Sequence, residues 1–197
     1  MDLIRPGQSA AAARTLSEAF KDDPLLCILE PEEHKRPKIG PWFFSKAIAY
    51  GMRWGHVWVN DDASALAVWF PPGNTDVKPG RMLRVGFGAL PFKIGFRGVG
   101  RFMRAMSATD KFHKVVDGPH WYLMAIGTQP TRQGEGLGSE LLSLGTSKAD
   151  EAGFPCYLET ATQSNVAYYS KRGFEVTGQA NLLCFTFYGM VRQPKVG

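Results

Sequence analysis

The chain has 197 residues, of which 44% are hydrophobic and 21% are charged, so we expect one globular domain over residues 1–197 with a sizeable core. The absence of an apolar run of about 18 residues excludes a membrane-spanning helix. The N-terminus has no apolar signal core, so we expect a cytoplasmic protein. The net charge of +5 suits an anionic ligand such as a nucleotide cofactor and would also suit weak nucleic-acid binding.

The cysteines indicate neither a disulfide framework nor a metal site. Cys27, Cys156 and Cys184 are odd in number, lie far apart and lack the spacing of metal ligands. We therefore expect reduced thiols in the core and no metal.

The N-terminal part predicts a short strand, a helix, a solvated charged run, a second helix and a β-hairpin, in that order, at residues 3–4, 8–20, 30–38, 41–54 and 56–70. Asp22-Asp23-Pro24 is expected to end the first helix. Pro41 is expected in the first turn of the second helix, where proline is tolerated. Residues 56–60 alternate as a strand does, residues 64–70 form a second strand, and the turn at Asp61-Asp62 joins them into the predicted hairpin.

Residues 74–118 are rich in glycine and in basic residues. A helix in this segment would carry Arg97, Arg101 and Arg104 on one face, and on another face the apolar side chains of Phe96, Val99, Met103 and Met106. The plainest interpretation is an amphipathic helix with a solvated basic face. A lid over an acceptor site and a membrane or nucleic-acid surface are the alternatives.

The segment from His120 to Leu142 predicts an anion site. Trp121 to Ile126 is a short apolar run typical of a strand, and a helix follows over about residues 136–152. Between them lie Pro130 and the glycines at 134, 136 and 138. Such a turn exposes backbone N–H groups at the positive end of a helix, where a phosphate or pyrophosphate can bind.

The remaining elements complete a layered sheet. The pattern predicts a strand, a helix and two antiparallel strands joined near residues 178–181, at residues 156–161, 165–171, 174–177 and 183–192. The order of elements indicates a mixed α/β sheet covered by helices rather than repeated β/α units.

The glycine turn fits neither of two common nucleotide motifs. A dinucleotide fingerprint requires Gly-x-Gly-x-x-Gly in the first strand–turn–helix unit, whereas this turn reads Gly-x-Gly-x-Gly and lies beyond residue 120. A P-loop requires Gly-Lys followed by Ser or Thr, which is absent here.

Two motifs in order resemble the GNAT superfamily of acetyl-CoA-dependent N-acetyltransferases. The segment 133–138, Gln-Gly-Glu-Gly-Leu-Gly, matches the family's Gln/Arg-x-x-Gly-x-Gly/Ala loop, and residues 120–130 match the strand before it. Leu158-Glu159-Thr160 and the segment from Asn165 to Phe174 resemble the family's second motif. The two motifs are most similar to those of acetyltransferases that act on small molecules, such as the puromycin-type enzymes. The resemblance implies the GNAT fold, α/β (α+β) with a mixed, largely antiparallel sheet of about seven strands flanked by helices.

The resemblance also implies acetyl-CoA as co-substrate and a set of residues that bind it. Backbone groups of Ile126, Gly127 and Thr128 would pair with the pantetheine arm where the central strand splays from its neighbour. Asn165 and Tyr169 would contact the cofactor. The pyrophosphate would lie on the loop and the first helical turn, formed by Gln133, Gly134, Glu135, Gly136, Leu137, Gly138 and Ser139.

Three residues are candidates for acid–base catalysis. Tyr169 aligns with the family's tyrosine that protonates the departing thiolate, a transfer that a phenol near pKa 10 can make to a thiolate. Glu159 and then His120 are the candidates for the general base. A water chain could replace either of them.

The implied function is transfer of an acetyl group to a primary amine of a small molecule by direct attack in a ternary complex. The alternative is a non-catalytic acyl-CoA-binding or regulatory domain of the same fold. A nucleic-acid module over residues 78–114 is disfavoured because the aromatic–basic interleaving of an RNA-binding sheet is missing. We expect a monomer or homodimer, with neither a nucleic-acid nor a membrane partner, and the identity of the amine stays open.

Overall fold

The computed structural model describes residues 1–113, 116, 118–182 and 185–195, with side chains described as far as residue 107 in the first range. Its centre is a seven-stranded sheet in the spatial order β1-β2-β3-β4-β5-β7-β6. The strands are β1 Asp2–Leu3, β2 His56–Val59, β3 Ala65–Phe70, β4 Trp121–Thr128, β5 Cys156–Thr160, β6 Glu175–Leu182 and β7 Phe185–Arg192. Among them, β4 and β5 run parallel and the other neighbouring pairs are antiparallel. The predicted fold class is confirmed.

Helices cover both faces of this sheet. They are α1 Ser9–Ala19, α2 Pro24–Leu29, α3 Arg36–Trp54, α4 Pro79–Arg84, α5 Leu90–His113, α6 Leu137–Ala152 and α7 Gln163–Ser170. α1, α2, α3 and α5 contribute to one core cluster, and α6 and α7 contribute to the other. Alternating side chains of a strand point to opposite faces, so Val68 joins the first cluster and its neighbour Trp69 the second.

α2 is a helix that the sequence did not predict. The Asp23 side chain accepts a hydrogen bond of 2.8 Å from the backbone N–H of Leu25, and Pro24 occupies the first helical position. These are N-cap features. The Asp-Asp-Pro segment therefore begins a second helix as well as ending α1.

The prediction that Pro41 lies in a first turn is wrong. α3 begins at Arg36, inside the run expected to be a solvated loop, so Pro41 stands within the helix. An interior proline costs about 3 kcal/mol because it removes one helical hydrogen bond and crowds the preceding turn. Burial of Phe43, Phe44 and Ile48 in the core offsets this cost.

The predicted reversal near residues 178–181 is also wrong, because these residues belong to β6. The register between β6 and β7 shifts between Val176 and Gly178, so this glycine marks a bulge rather than a turn. β6 ends at Leu182 and β7 begins at Phe185. Cys184, predicted to be a core thiol, lies outside the described residues. α7 begins at Gln163, two residues before its predicted start, because the Thr162 side chain caps it.

α5 confirms the helix predicted in the basic segment, but the faces that it turns to the core and to solvent differ from the predicted ones. Gly95 interrupts the helix with a φ of +67°, a conformation that glycine adopts without strain. Arg101 was expected on the solvated face, and it instead donates hydrogen bonds to the carbonyl oxygens of Ile28 (2.9 Å) and Leu29 (3.4 Å). These oxygens end α2 and have no partners within that helix.

The apolar face of α5 differs in part from the predicted one. Phe96 and Met103 were expected to pack and are exposed, whereas Phe102 and Ala105 are buried. Val99 and Met106 pack against the core as expected. Within the described residues, no helix combines the length and apolar character needed to span a bilayer.

Candidate active site

β4 is irregular at its middle, and this irregularity opens the sheet. Its register with β3 places Val68 opposite Ala125 and Trp69 opposite Leu123, so Met124 is an extra residue in a β-bulge. Pairing with β5 ends at Leu123, although β4 continues to Thr128. The second half of β4 therefore presents backbone groups to a gap between the two strands.

A cleft of about 500 Å³ lies beside this gap and extends to the start of α6. Every residue predicted to bind the cofactor lines this cleft, with the exception of Glu135. The structure thus brings together residues from β4, the glycine turn and α7. Gly127 allows the β4 wall to form, since a Cβ there would lie 2.8 Å from the Leu16 side chain of α1.

Open backbone amides mark the glycine turn. Gly134 and Gly136 have φ values of +89° and +84°, which other residues rarely adopt. Gly136 caps α6, and its carbonyl oxygen accepts hydrogen bonds from the amides of Ser139 and Glu140. In the described residues, the amides from Gly134 to Gly138 donate to no backbone carbonyl. These five N–H groups sit at the positive end of the helix and form a cradle for an anion.

Arg132 is a cleft residue that the sequence did not single out. Its guanidinium lies 2.7 Å from the Glu135 carboxylate and 2.6 Å from that of Asp62, and it also donates to the Ser64 hydroxyl. The arginine lowers the pKa of Glu135. It therefore ties the glycine turn to the β2–β3 turn and partly offsets the negative charges of Glu135 and Asp62.

A second cavity, of about 200 Å³, lies on the α3–α5 side of the gap. Aromatic side chains form much of its wall, among them Phe43, Tyr50, Phe87, Phe102, Tyr122 and Phe187. Two carboxylates, those of Asp23 and Glu159, also line it. Cleft and cavity share five residues, namely Phe20, Asp23, Ile126, Asn165 and Tyr169. The two spaces therefore adjoin at Asp23 and Tyr169.

Asp23 is the second residue that the sequence did not single out. Burial raises the pKa of its carboxyl to about 6, despite the opposing hydrogen bond from Leu25. An acid whose pKa lies near neutrality can accept a proton during catalysis. The sequence signal was an aspartate before a proline after a helix, which is equally typical of a plain N-cap.

Tyr169 is buried at the same junction. Burial raises the pKa of its phenol, and the charges of Tyr168 and Asp23 raise it further. The phenol therefore stays protonated at neutral pH and can donate its proton. The neighbouring Tyr168 hydroxyl lies 3.2 Å from the Ser139 hydroxyl, and the guanidinium of Arg172 stacks on the Tyr168 ring.

The two candidates for the base occupy different places. Glu159 lies on β5 in the cavity wall, where it accepts a hydrogen bond from the Tyr122 hydroxyl; burial and then this carboxylate raise the pKa of Tyr122. His120 is buried before β4, with its Nδ1 3.0 Å from the Gly118 carbonyl oxygen. His120 is not among the residues that border the cleft or the cavity.

Comparison with known proteins finds an acetyltransferase domain in the chain. Residues 93–174 match the acetyltransferase (GNAT) family. These residues form a GNAT acetyltransferase domain. An N-acetyltransferase of Schizosaccharomyces pombe is 29% identical over 171 residues, which cover 83% of this chain and 69% of that protein. The chain is an acetyltransferase enzyme, as predicted, and acetyl-CoA is the co-substrate of its family.

Two solved structures share the fold of this acetyltransferase. One is described as a histone acetyltransferase HPA2 and related acetyltransferase from Corynebacterium glutamicum, with 20% identity, a TM-score of 0.68, and coverage of 100% of this chain and 96% of that one. The other is arylalkylamine N-acetyltransferase 2 from Aedes aegypti, with 16% identity, a TM-score of 0.68 and coverage of 98% of each chain.

Two cysteines of the acetyltransferase lie in the described part of the chain, and both are outside the cleft and the cavity. Neither Cys27 nor Cys156 borders the cleft or the cavity, and burial raises the pKa of Cys156 to about 12. A thiol with such a pKa is a poor nucleophile. Over the part of the chain that the structure describes, no cluster of three His, Cys, Asp or Glu could hold a metal ion.

Proposed function

We propose that this acetyltransferase moves the acetyl group of acetyl-CoA to the primary amine of a small apolar molecule by direct attack in a ternary complex. The observation that carries the proposal is the junction of the amide-lined cleft with the carboxylate-bearing cavity at Asp23 and Tyr169. A thioester held in the cleft and an amine held in the cavity would meet there. The lack of a described thiol at either space supports direct transfer over an acyl-cysteine route.

The cofactor would lie along β4 and the glycine turn. The open amides from Gly134 to Gly138 would bind the pyrophosphate, and the free edge of β4 at Ile126 and Thr128 would pair with the pantetheine amides as an added strand does. Gln133, Leu137, Ser139 and Asn165 would complete the walls. Glu135 would act through Arg132 rather than by direct contact.

Asp23 is the proposed general base. It borders both spaces, whereas Glu159 borders the cavity alone, so Asp23 is nearer to where the amine meets the thioester. Its raised pKa of about 6 lets it take the ammonium proton near neutral pH. Glu159 would then hold the ammonium group in the cavity, and His120 is disfavoured as the base by its position.

Tyr169 is the proposed general acid. The thiolate of CoA leaves at the junction when the tetrahedral intermediate collapses, and the phenol there can protonate its sulfur. The ammonium loses one proton to Asp23, the amine nitrogen attacks the thioester carbon, and collapse of the tetrahedral intermediate breaks the C–S bond. The thiolate gains a proton from Tyr169, and the nitrogen gives its second proton to the resulting phenolate, so that one proton remains on Asp23 for release.

The walls of the cavity suggest an aromatic or otherwise apolar amine. An apolar cavity of about 150 Å³ holds benzene, so the cavity of about 200 Å³ has room for a ring with a short amine arm. The likeness to the Aedes aegypti arylalkylamine enzyme agrees with this class. Residues 74–118, which supply Val77, Met82, Phe87, Phe102 and Met106 to the wall, would act as the acceptor-site lid.

The test measures CoA release with acetyl-CoA and three acceptors: phenethylamine, phenylalanine and spermidine. We expect turnover of phenethylamine and little with phenylalanine, whose carboxylate would face Asp23 and Glu159. Spermidine lacks a ring and should be a poor acceptor. Preference for spermidine would refute the apolar class, and failure of calorimetry to detect CoA binding would refute the cofactor site.

A further inference from the structure

The surface of α5 combines exposed aromatic rings with unbalanced positive charge. The large hydrophobic side chains exposed on the described residues are Leu3, Met52, Leu83, Phe92, Phe96, Met103 and Val176, so four of these seven lie between residues 83 and 103. Phe92 is 90% exposed and Phe96 is 86% exposed. We define the α5 surface as Phe92, Lys93, Phe96, Arg97, Met103 and Arg104, all of which are exposed.

The charged side chains between Asp76 and Asp110 are all basic. No acidic residue occurs between Asp76 and Asp110, whereas seven basic residues do: Lys78, Arg81, Arg84, Lys93, Arg97, Arg101 and Arg104. Arg81 bonds to Asn74 and Arg101 bonds to α2. Among the described residues, Lys93, Arg97 and Arg104 form no ion pair. The α5 surface therefore attracts a partner of negative charge.

The packing of α5 on the rest of the fold leaves the α5 surface exposed to solvent. The hydrogen bonds from Arg101 to the end of α2 fix the rotation of the part of α5 that follows the break at Gly95, and in this part Phe102 and Ala105 point into the core. Phe96, Met103 and Arg104 are then exposed at the spacing of one helical face. None of the six surface residues borders the cleft or the cavity. The rings are thus free of the catalytic site and in contact with water.

We propose that the α5 surface docks the protein on an anionic lipid bilayer. Interfacial helices combine Lys and Arg with Phe, Leu or Met, so that the rings enter the headgroup region while the cations bind acidic headgroups. A second copy of the chain is disfavoured because a symmetric contact would bring like charges together. The proposal reverses the expectation that the chain has no membrane partner.

The test is sedimentation of the full chain with vesicles. Vesicles of equal parts phosphatidylserine and phosphatidylcholine should bind the protein, whereas vesicles of phosphatidylcholine alone should bind it far less, and high salt should release it. Phe92→Ser/Phe96→Ser should weaken binding roughly tenfold or more, because two inserting rings are removed. The matched control, Val176→Ser, removes an exposed apolar side chain of β6 and should leave binding unchanged.

A second pair of variants tests the charge. Lys93→Gln should weaken vesicle binding about fivefold, as expected for one cation at an anionic surface. Lys148→Gln removes the same charge from α6, on the other face of the sheet, and should have little effect. All variants should keep the thermal midpoint of the parent, which shows that they fold.

Four outcomes would overturn the proposal. The first is no binding to phosphatidylserine vesicles, and the second is binding that is equal for the parent and Phe92→Ser/Phe96→Ser. The third is a concentration-dependent dimer in ultracentrifugation that this variant abolishes while vesicle binding is absent, which would assign the surface to a second copy. Binding to heparin with no binding to vesicles would assign it to an acidic macromolecule.

Discussion

The carboxylate of Asp23 and the phenol of Tyr169 interact electrostatically at the junction of the cleft and the cavity, where burial raises the pKa of Tyr169 and the charges of Tyr168 and Asp23 raise it further. Asp23 begins α2 and Tyr169 lies in α7, on opposite sides of the sheet. The gap between β4 and β5 lets them approach. A proton acceptor and a proton donor therefore face one space.

Removing the charge of Asp23 should slow acetyl transfer without unfolding α2. Asn is as good an N-cap as Asp, so Asp23→Asn keeps the hydrogen bond from Leu25. We expect kcat/KM for the amine to fall about 10²- to 10⁴-fold, the usual contribution of a general base. Steady-state kinetics measures this change, and calorimetry should give the parent's CoA affinity. Asp22→Asn, an adjacent exposed acid, is the control and should retain activity.

The pH dependence of activity should follow the same carboxyl. Its pKa is raised to about 6, and only the ionised form accepts a proton, so kcat/KM should rise with pH through about 6 and then level off. A rate profile from pH 5 to pH 8 checks this. A profile already flat below pH 5 would exclude Asp23 as the base.

Stability should change with pH in the opposite direction. The folded pKa of Asp23 lies above its ordinary value of 3.8, so the folded state binds the proton more tightly than the unfolded state does. This contribution is fully present below about pH 4 and is lost as pH rises through about 6. At pH 8, Asp23→Asn should therefore unfold at a higher urea concentration than the parent, with a free energy of unfolding larger by up to about 3 kcal/mol. This difference should vanish near pH 4. An equal difference at both pH values would contradict the raised pKa.

Tyr169→Phe should lower turnover and leave CoA affinity nearly unchanged. The substitution removes the proton donor and keeps the aromatic ring, whose centroid lies 5.8 Å from that of the Phe174 ring. We expect a fall in kcat of about 10²-fold, within the range for a general acid. Tyr168→Phe is the matched control, because that hydroxyl faces Ser139. An equal loss of CoA affinity in Tyr169→Phe would assign Tyr169 to binding.

The sequence predicted the elements that have a strong hydrophobic period or a glycine at each end. It missed features that depend on contacts between residues far apart in the chain. α6 was predicted to within a residue because Gly136 and Gly153 cap its two ends. The rotation of α5 could not be predicted, because the carbonyl oxygens that hold Arg101 belong to α2. Asp23 was missed for a related reason: its pKa depends on apolar neighbours that lie far away in the sequence.

Replacing Arg132 should weaken CoA binding through Glu135. In Arg132→Gln the Glu135 and Asp62 carboxylates lose their shared cation, and Glu135 lies in the turn where the pyrophosphate would bind. We expect Kd for CoA to rise about tenfold, since repulsion between like charges near the cradle costs on the order of 1 kcal/mol. Calorimetry measures the change. The double variant Arg132→Gln/Glu135→Gln removes that repulsion and should recover much of the affinity. If it binds CoA as weakly as Arg132→Gln, the arginine contacts the pyrophosphate itself.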